Sequence, residues 1–116
     1  MAATLESIQF GKDLLTIAVE GGIGYFAEIV EYLRDDNGDW VCVTVEDAEG
    51  EDTFERTTVS YDMMRRGVEA FIAAHPNAAI TPDMRTALRD RDPGMMDAEM
   101  AAAAFQMAAF GEVVFG

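Results

Sequence analysis

Apolar residues recur along the chain with two different periods, and the changes of period divide it into segments. Over residues 8–20, Leu14, Ile17 and Ala18 share one helical face, Leu15 and Val19 widen it, and Gly21-Gly22 follows. That spacing predicts an amphipathic helix with Ser7 as its N-cap and the glycine pair as its stop. Residues 25–33 are rich in aromatic and β-branched side chains, and Asp36-Asn37-Gly38-Asp39 comes next. Residues 40–46 alternate, with Val41, Val43 and Val45 facing one way and Trp40, Cys42, Thr44 and Glu46 the other. An Asn-Gly pair between two β-prone runs predicts a tight hairpin whose two central residues both take positive φ. A polar turn over residues 47–52 then leads into a third predicted strand, residues 53–59.

The period returns to helical after Ser60. This serine is the expected N-cap of a helix over residues 61–75, with Asp62 in its first turn and Met64, Val68, Phe71 and Ile72 as its apolar stripe. His75-Pro76-Asn77 ends it. Thr81 as cap and Pro82 at the first position predict a short helix ending near Asp90, before the break at Asp92-Pro93-Gly94. Asp97 is the expected cap of a last helix, residues 98–110, stopped by Gly111, and residues 112–115 are available as a fourth short strand. The expectation is an α+β fold, a three- to four-stranded antiparallel meander covered on one face by three to four helices. With 116 residues, half of them hydrophobic, the chain reads as a single compact acidic domain over residues 1–116 that can fold without disulfides.

Charge sharpens the picture. The formal net charge is -14, and residues 28–55 hold eleven acids against the single base Arg34, which is -10 of that total. Arg56, Arg65, Arg66, Arg85, Arg89 and Arg91 all follow, mostly on predicted helices. The molecule is therefore expected to have an acidic sheet end and a nearly balanced helical side. Such a chain lacks the cationic footprint that a phosphate backbone or an anionic membrane surface requires, so neither is an expected partner. No run approaches the length of a membrane span, and the first residues lack the basic start and apolar core of a signal peptide. A soluble, cytoplasmic protein is expected. Acidic loops can serve solubility alone. The sharper reading is a partner-binding patch of Asp35, Asp36, Asp39, Glu46, Asp47, Glu49, Glu51, Asp52 and Glu55 that imitates phosphate spacing and enters a basic groove on another protein.

Candidate chemistry is sparse. Asp35, Asn37, Asp39 and Glu46 fall at positions 1, 3, 5 and 12 of a calcium-loop pattern, yet Trp40 occupies position 6, where that loop needs glycine. A hairpin turn accounts for them better. Glu20, Gly21, Gly22, Gly24, Tyr25 and Phe26 form a glycine-rich turn that runs from helix to strand, the reverse of a phosphate-binding loop. Its simplest role is a helix stop and chain reversal; its functional alternative is a small-ligand site. Cys42 stands mid-strand among valines and His75 is the one histidine, so neither nucleophilic catalysis nor a usual zinc site can be assembled. The expectation is a non-enzymatic protein with no catalytic residues, no cofactor and no metal. Seven of the eight methionines, with the alanine run of residues 98–110, fall in or near the helical part, which offers self-association through helix surfaces as an alternative.

Two stretches, residues 18–26 (AVEGGIGYF) and 110–116 (FGEVVFG), resemble a group of small acidic proteins without an assigned activity that are carried by bacteriophages, notably those of actinobacteria. That group usually has Trp at the position of Phe26 and often Tyr at that of Phe115. The resemblance covers the two ends and leaves the acidic middle uncovered. It implies a phage origin and a fold in which the two ends meet, and it carries over no activity. Joined to the charge layout, it gives the leading expectation: an accessory protein that binds and inhibits a host protein with a basic surface, such as a nucleic-acid-processing defence complex, in the host cytoplasm.

Overall fold

The computed structural model describes residues 4–48 and 55–115. Helix α1 (Leu5–Ile17) continues without a break into a wider π turn, Ala18–Gly22, and the hairpin β1 (Ala27–Arg34) and β2 (Trp40–Asp47) follows. Then come β3 (Thr57–Ser60), α2 (Tyr61–Ala74), α3 (Thr81–Asp90), a 3-10 turn Pro93–Met95, and α4 (Ala98–Phe110). The sheet is antiparallel in the order β1-β2-β3, and the fold class is α+β as the pattern predicts. Within the third predicted strand, residues 53 and 54 lie outside the described residues, and the ladder begins at Thr57.

Local capping chemistry sets most helix ends. Ser60 Oγ accepts from Met63 N–H at 3.3 Å, and Asp97 Oδ1 accepts from Met100 N–H at 2.8 Å, so α2 and α4 start where those side chains satisfy otherwise unpaired donors. Gly111, at φ 77, takes the left-handed position that ends α4. Two expected caps differ. The cap of α1 is Thr4, whose Oγ1 accepts from Ser7 N–H at 3.1 Å, because Leu5 and Glu6 extend the helix one turn earlier and place Ser7 inside it. For α3 the capping position is Ile80. Thr81 is the first helical residue and buried, and its hydroxyl donates to His75 O at 2.5 Å, which ties the start of α3 to the end of α2.

The hairpin turn also departs from the expected geometry. Only Gly38 has positive φ, at 81°; Gly38 N–H donates to Asp35 O at 3.0 Å and Asp35 N–H to Asp39 O at 2.9 Å. That is a three-residue loop, a type I turn closed by a left-handed glycine. The Asp35 carboxylate selects it by accepting from Asn37 N–H and Asp39 N–H at 2.9 and 3.0 Å. Beyond the turn, Arg34 pairs with Trp40 but Leu33 with Cys42, so Val41 is an extra residue in the ladder. This bulge rotates Trp40 onto the face of Val43 and Val45, against the simple alternation, and Trp40 is buried.

Val43, Val45 and Val59 form the inner face of the sheet and are fully buried against Phe10, Leu14 and Leu15 of α1, Met64 and Val68 of α2, and Phe105 of α4. Residues Met100 to Met107 of α4 are all buried in the chain's own core, while Ala98, Ala108, Ala109 and Phe110 at its two ends are half-buried. The expected fourth strand is absent among the described residues. Val114 and Phe115 instead give their N–H groups to the Gln106 side chain.

Candidate protein-interaction surface

Because β-strand side chains alternate, burying Val43, Val45 and Val59 turns their neighbours to the opposite face. That outer face carries Glu28, Glu31 and Leu33 from β1, Cys42, Thr44 and Glu46 from β2, and Thr58 from β3. Glu28 lies directly opposite Glu46, and Glu31 opposite Thr44. Like charges across a ladder oppose folding, so this pairing is not there for stability. Arg56 Nε approaches Glu46 Oε2 at 3.8 Å with both side chains well exposed, which relieves little of it. Among the described residues, Glu28, Glu31 and Asp36 have no ion-pair partner.

The cations of the helical side are arranged differently. Arg65 sits between Asp62 at 3.4 Å and Glu69 at 2.6 Å, Arg66 reaches Asp62 at 3.0 Å, and Arg89 reaches Asp90 at 2.9 Å. Three helical arginines are thus ion-paired, whereas on the outer sheet face Glu28 and Glu31 have no ion-pair partner among the described residues and Glu46 has only the long Arg56 contact.

The predicted acidic residues separate into groups. Asp36 is exposed at the turn and Asp39 half-buried beside it; Glu46 and Asp47 lie at the other end of β2, about 25 Å away along the strand, and Glu55 is exposed before β3. Glu49, Glu51 and Asp52 lie outside the described residues. The described acids therefore form a stripe along the hairpin and do not converge on a point. Among the described residues, no group of three or more His, Cys, Asp or Glu side chains is placed to hold a metal ion.

Asp35 has a structural task. Besides holding the turn, it is ion-paired and hydrogen-bonded to Lys12 of α1, fastening the hairpin tip to the first helix. The hydrogen bond to Lys12 keeps the Asp35 carboxyl below its ordinary pKa, with the Asn37 and Asp39 amides adding to the effect, and the same contact raises Lys12. Asp35 therefore stabilises the fold above the usual carboxylate range, and that contribution disappears as pH falls through its lowered value; the Lys12 contribution is complete below its ordinary value and disappears as pH rises through the raised one. Asp35→Asn is expected to lower Tm at neutral pH and to flatten its fall below about pH 4. Thermal melts of both proteins from pH 2 to 7 check this, and parallel curves would contradict it.

The glycine-rich turn is built mainly for packing. Gly22 is buried under α4, where a Cβ would come within 2.7 Å of Ala98 O, and Phe26 is buried and stacked on Phe115 at 4.9 Å and 7°. Glu20, Gly21, Gly24 and Tyr25 are exposed. Tyr25 separates two shallow depressions of about 370 and 300 Å³, the first against Gly21, Gly22 and Ala98, the second against Phe71, Ile80 and Phe115; Glu99 borders both. The stretches around residues 18–26 and 110–115 are thus in contact through Phe26 and Phe115.

Several exposed residues of β1 escaped the sequence reading. Glu28 joins Glu46 only through the register of the ladder, and Ile29, Tyr32 and Leu33 of β1 are exposed although a β-rich run suggests burial. Their signal was the position of β1 at the sheet edge, which periodicity does not report. No helix among the described residues is long and apolar enough to cross a membrane. No protein-family model, curated protein or solved structure matches the chain.

Proposed function

We propose that the protein is a non-enzymatic accessory protein of phage type that binds and inhibits a host protein through the acidic outer face of its hairpin. The observation that carries this reading is the Glu28–Glu46 opposition, which Arg56 relieves only weakly, with Glu31 beside it, on the sheet face opposite the buried valines. Carboxylates held this way cost the isolated fold something and favour a cationic partner. The net charge of -14 steers such a partner over long distance, and the resemblance of residues 18–26 and 110–116 to phage proteins supports a partner in a bacterial host. A protein that handles nucleic acid has the required basic groove, which makes a host defence complex of that kind the target. The protein acts in the host cytoplasm.

The test begins with a nuclease-treated pull-down from host lysate at low and high salt, with the captured protein identified by mass spectrometry. Replacing Glu28, Glu31 and Glu46 together by Gln is then expected to weaken binding to that protein at least tenfold and to reduce its salt dependence, with Tm unchanged or slightly raised. Asp35 is left intact because its loss would loosen the turn. Unchanged affinity of the triple variant would remove the reading.

A further inference from the structure

We propose that the free edge of β1 captures an extended, basic segment of the partner protein as a fourth antiparallel strand. This rests on the acidic-surface reading and specifies the shape of what is bound.

Strand β1 is eight residues long, lies at the edge of the sheet, and packs against β2, while the helical layer sits over β2 and β3 and hardly reaches it. Its outer side therefore presents the row of unpaired backbone donors and acceptors that any edge strand offers. The side chains match that role. Ile29, Tyr32 and Leu33 are 38, 57 and 56% exposed, an unusual apolar content for an uncovered edge. Tyr32 is held in place: its ring meets the Trp40 ring edge-on at 4.8 Å, and the Arg34 guanidinium lies 3.8 Å over that same Trp40. A rigid, half-exposed aromatic of this kind is what anchors interfaces.

Charge decides the occupant. Proteins commonly protect an edge with lysine or proline, and β1 has neither; its bulge between Ile29 and Glu31 and its two glutamates are its protection. Those glutamates repel a second β1, whose own Glu28 and Glu31 would come alongside, and the chain's net charge of -14 adds to that repulsion. They admit a strand with Lys or Arg on one side. Strand side chains alternate, so the two faces of β1 ask for different things: basic residues beside Glu28 and Glu31 on the outer face, apolar ones beside Ile29 and Tyr32 on the inner. The predicted recognition element is therefore a segment of alternating basic and apolar residues, bound through its backbone.

An eight-residue Lys-Val repeat peptide is the probe, with a version N-methylated at every second residue as control. N-methylation removes backbone donors on one edge and leaves charge and side chains in place. The peptide is expected to slow amide hydrogen exchange within residues 27–34 and to lose at least tenfold in affinity on N-methylation, and again with Ile29→Thr plus Tyr32→Thr, which keep strand propensity. If both peptides bind alike and no β1 amide is slowed, edge docking is overturned while the acidic-surface reading stands. If neither binds at low salt, both readings fall. If β1 amides are slowed by raising protein concentration alone, the occupant is a second copy and the proposal is overturned.

Discussion

Gly67→Ala is expected to destabilise the protein by about 3 kcal/mol, a fall in Tm of roughly 12 °C for a domain of this size. The added Cβ would overlap Ala104 O and stand 3.1 Å from its carbonyl carbon, where α2 crosses α4. A flexible side chain could swing away from such an intrusion, but a helix carbonyl is fixed by the turns around it. The helices must therefore separate, and both are buried along the contact: Met64, Val68 and Phe71 on α2, Met100 to Met107 on α4. Alanine is the better helix former by about 1 kcal/mol, so the packing penalty exceeds the expected net loss by that amount. Gly24→Ala is the control. No atom lies within 4 Å of its Cβ position and its φ is not positive, so its Tm is expected to stay within a few degrees of wild type. Chemical and thermal denaturation of the two variants decide the matter; a Gly67→Ala protein as stable as its parent would mean that α2 and α4 do not approach at this point.

The same crossing explains what sequence reading can and cannot reach. Ser60, Asp97 and Gly111 are legible because a cap acts on amides or carbonyls within one turn of itself, so its whole mechanism lies in a few consecutive letters. The hairpin is legible from Asn37-Gly38, but its turn type is set by the Asp35 side chain, and the burial of Trp40 by a bulge that no alternation announces. Gly67 looks like a weak point within α2 until α4, some forty residues on, is laid against it. The candidate site divides along the same line. Its charge is written in composition, whereas the opposition of Glu28 and Glu46, the fastening of Asp35 by Lys12 and the exposure of β1 each depend on which segments become neighbours. Asp35, the first acid of the predicted patch, thus belongs to the fold, and Glu28 and Glu31 belong to the surface.

Gln106→Leu is the second large effect, again about 3 kcal/mol. Gln106 is 1% exposed among the buried alanines, Phe105 and Met107 of α4, and its amide serves the chain on its far side: Oε1 accepts from Val114 N–H at 2.9 Å and Phe115 N–H at 2.7 Å, and Nε2 donates to Phe115 O at 3.1 Å. The Tyr25 hydroxyl donates to the same carbonyl at 3.3 Å. Leucine fills much the same volume and offers none of these bonds. Either the segment stays and two part-buried N–H groups lose their partner, at about 1–2 kcal/mol each, or it leaves and Phe115 gives up its stacking on Phe26. Amide exchange at Val114 and Phe115 separates the two, since only departure makes both fast at once. Gln106→Glu sharpens the test. Its carboxylate can still accept the two N–H bonds but faces Phe115 O without a proton to share, whereas the protonated form restores the donor. Burial and that carbonyl raise the new carboxyl's pKa in the folded protein, so its protonated form is the stabilising one and the variant regains stability as pH falls. Relative to wild type it is expected to melt closer to normal at pH 4 than at pH 7. If Gln106→Leu melts and exchanges like the parent, the amide does not hold residues 112–115, and Phe115 is kept in place by its aromatic contacts alone.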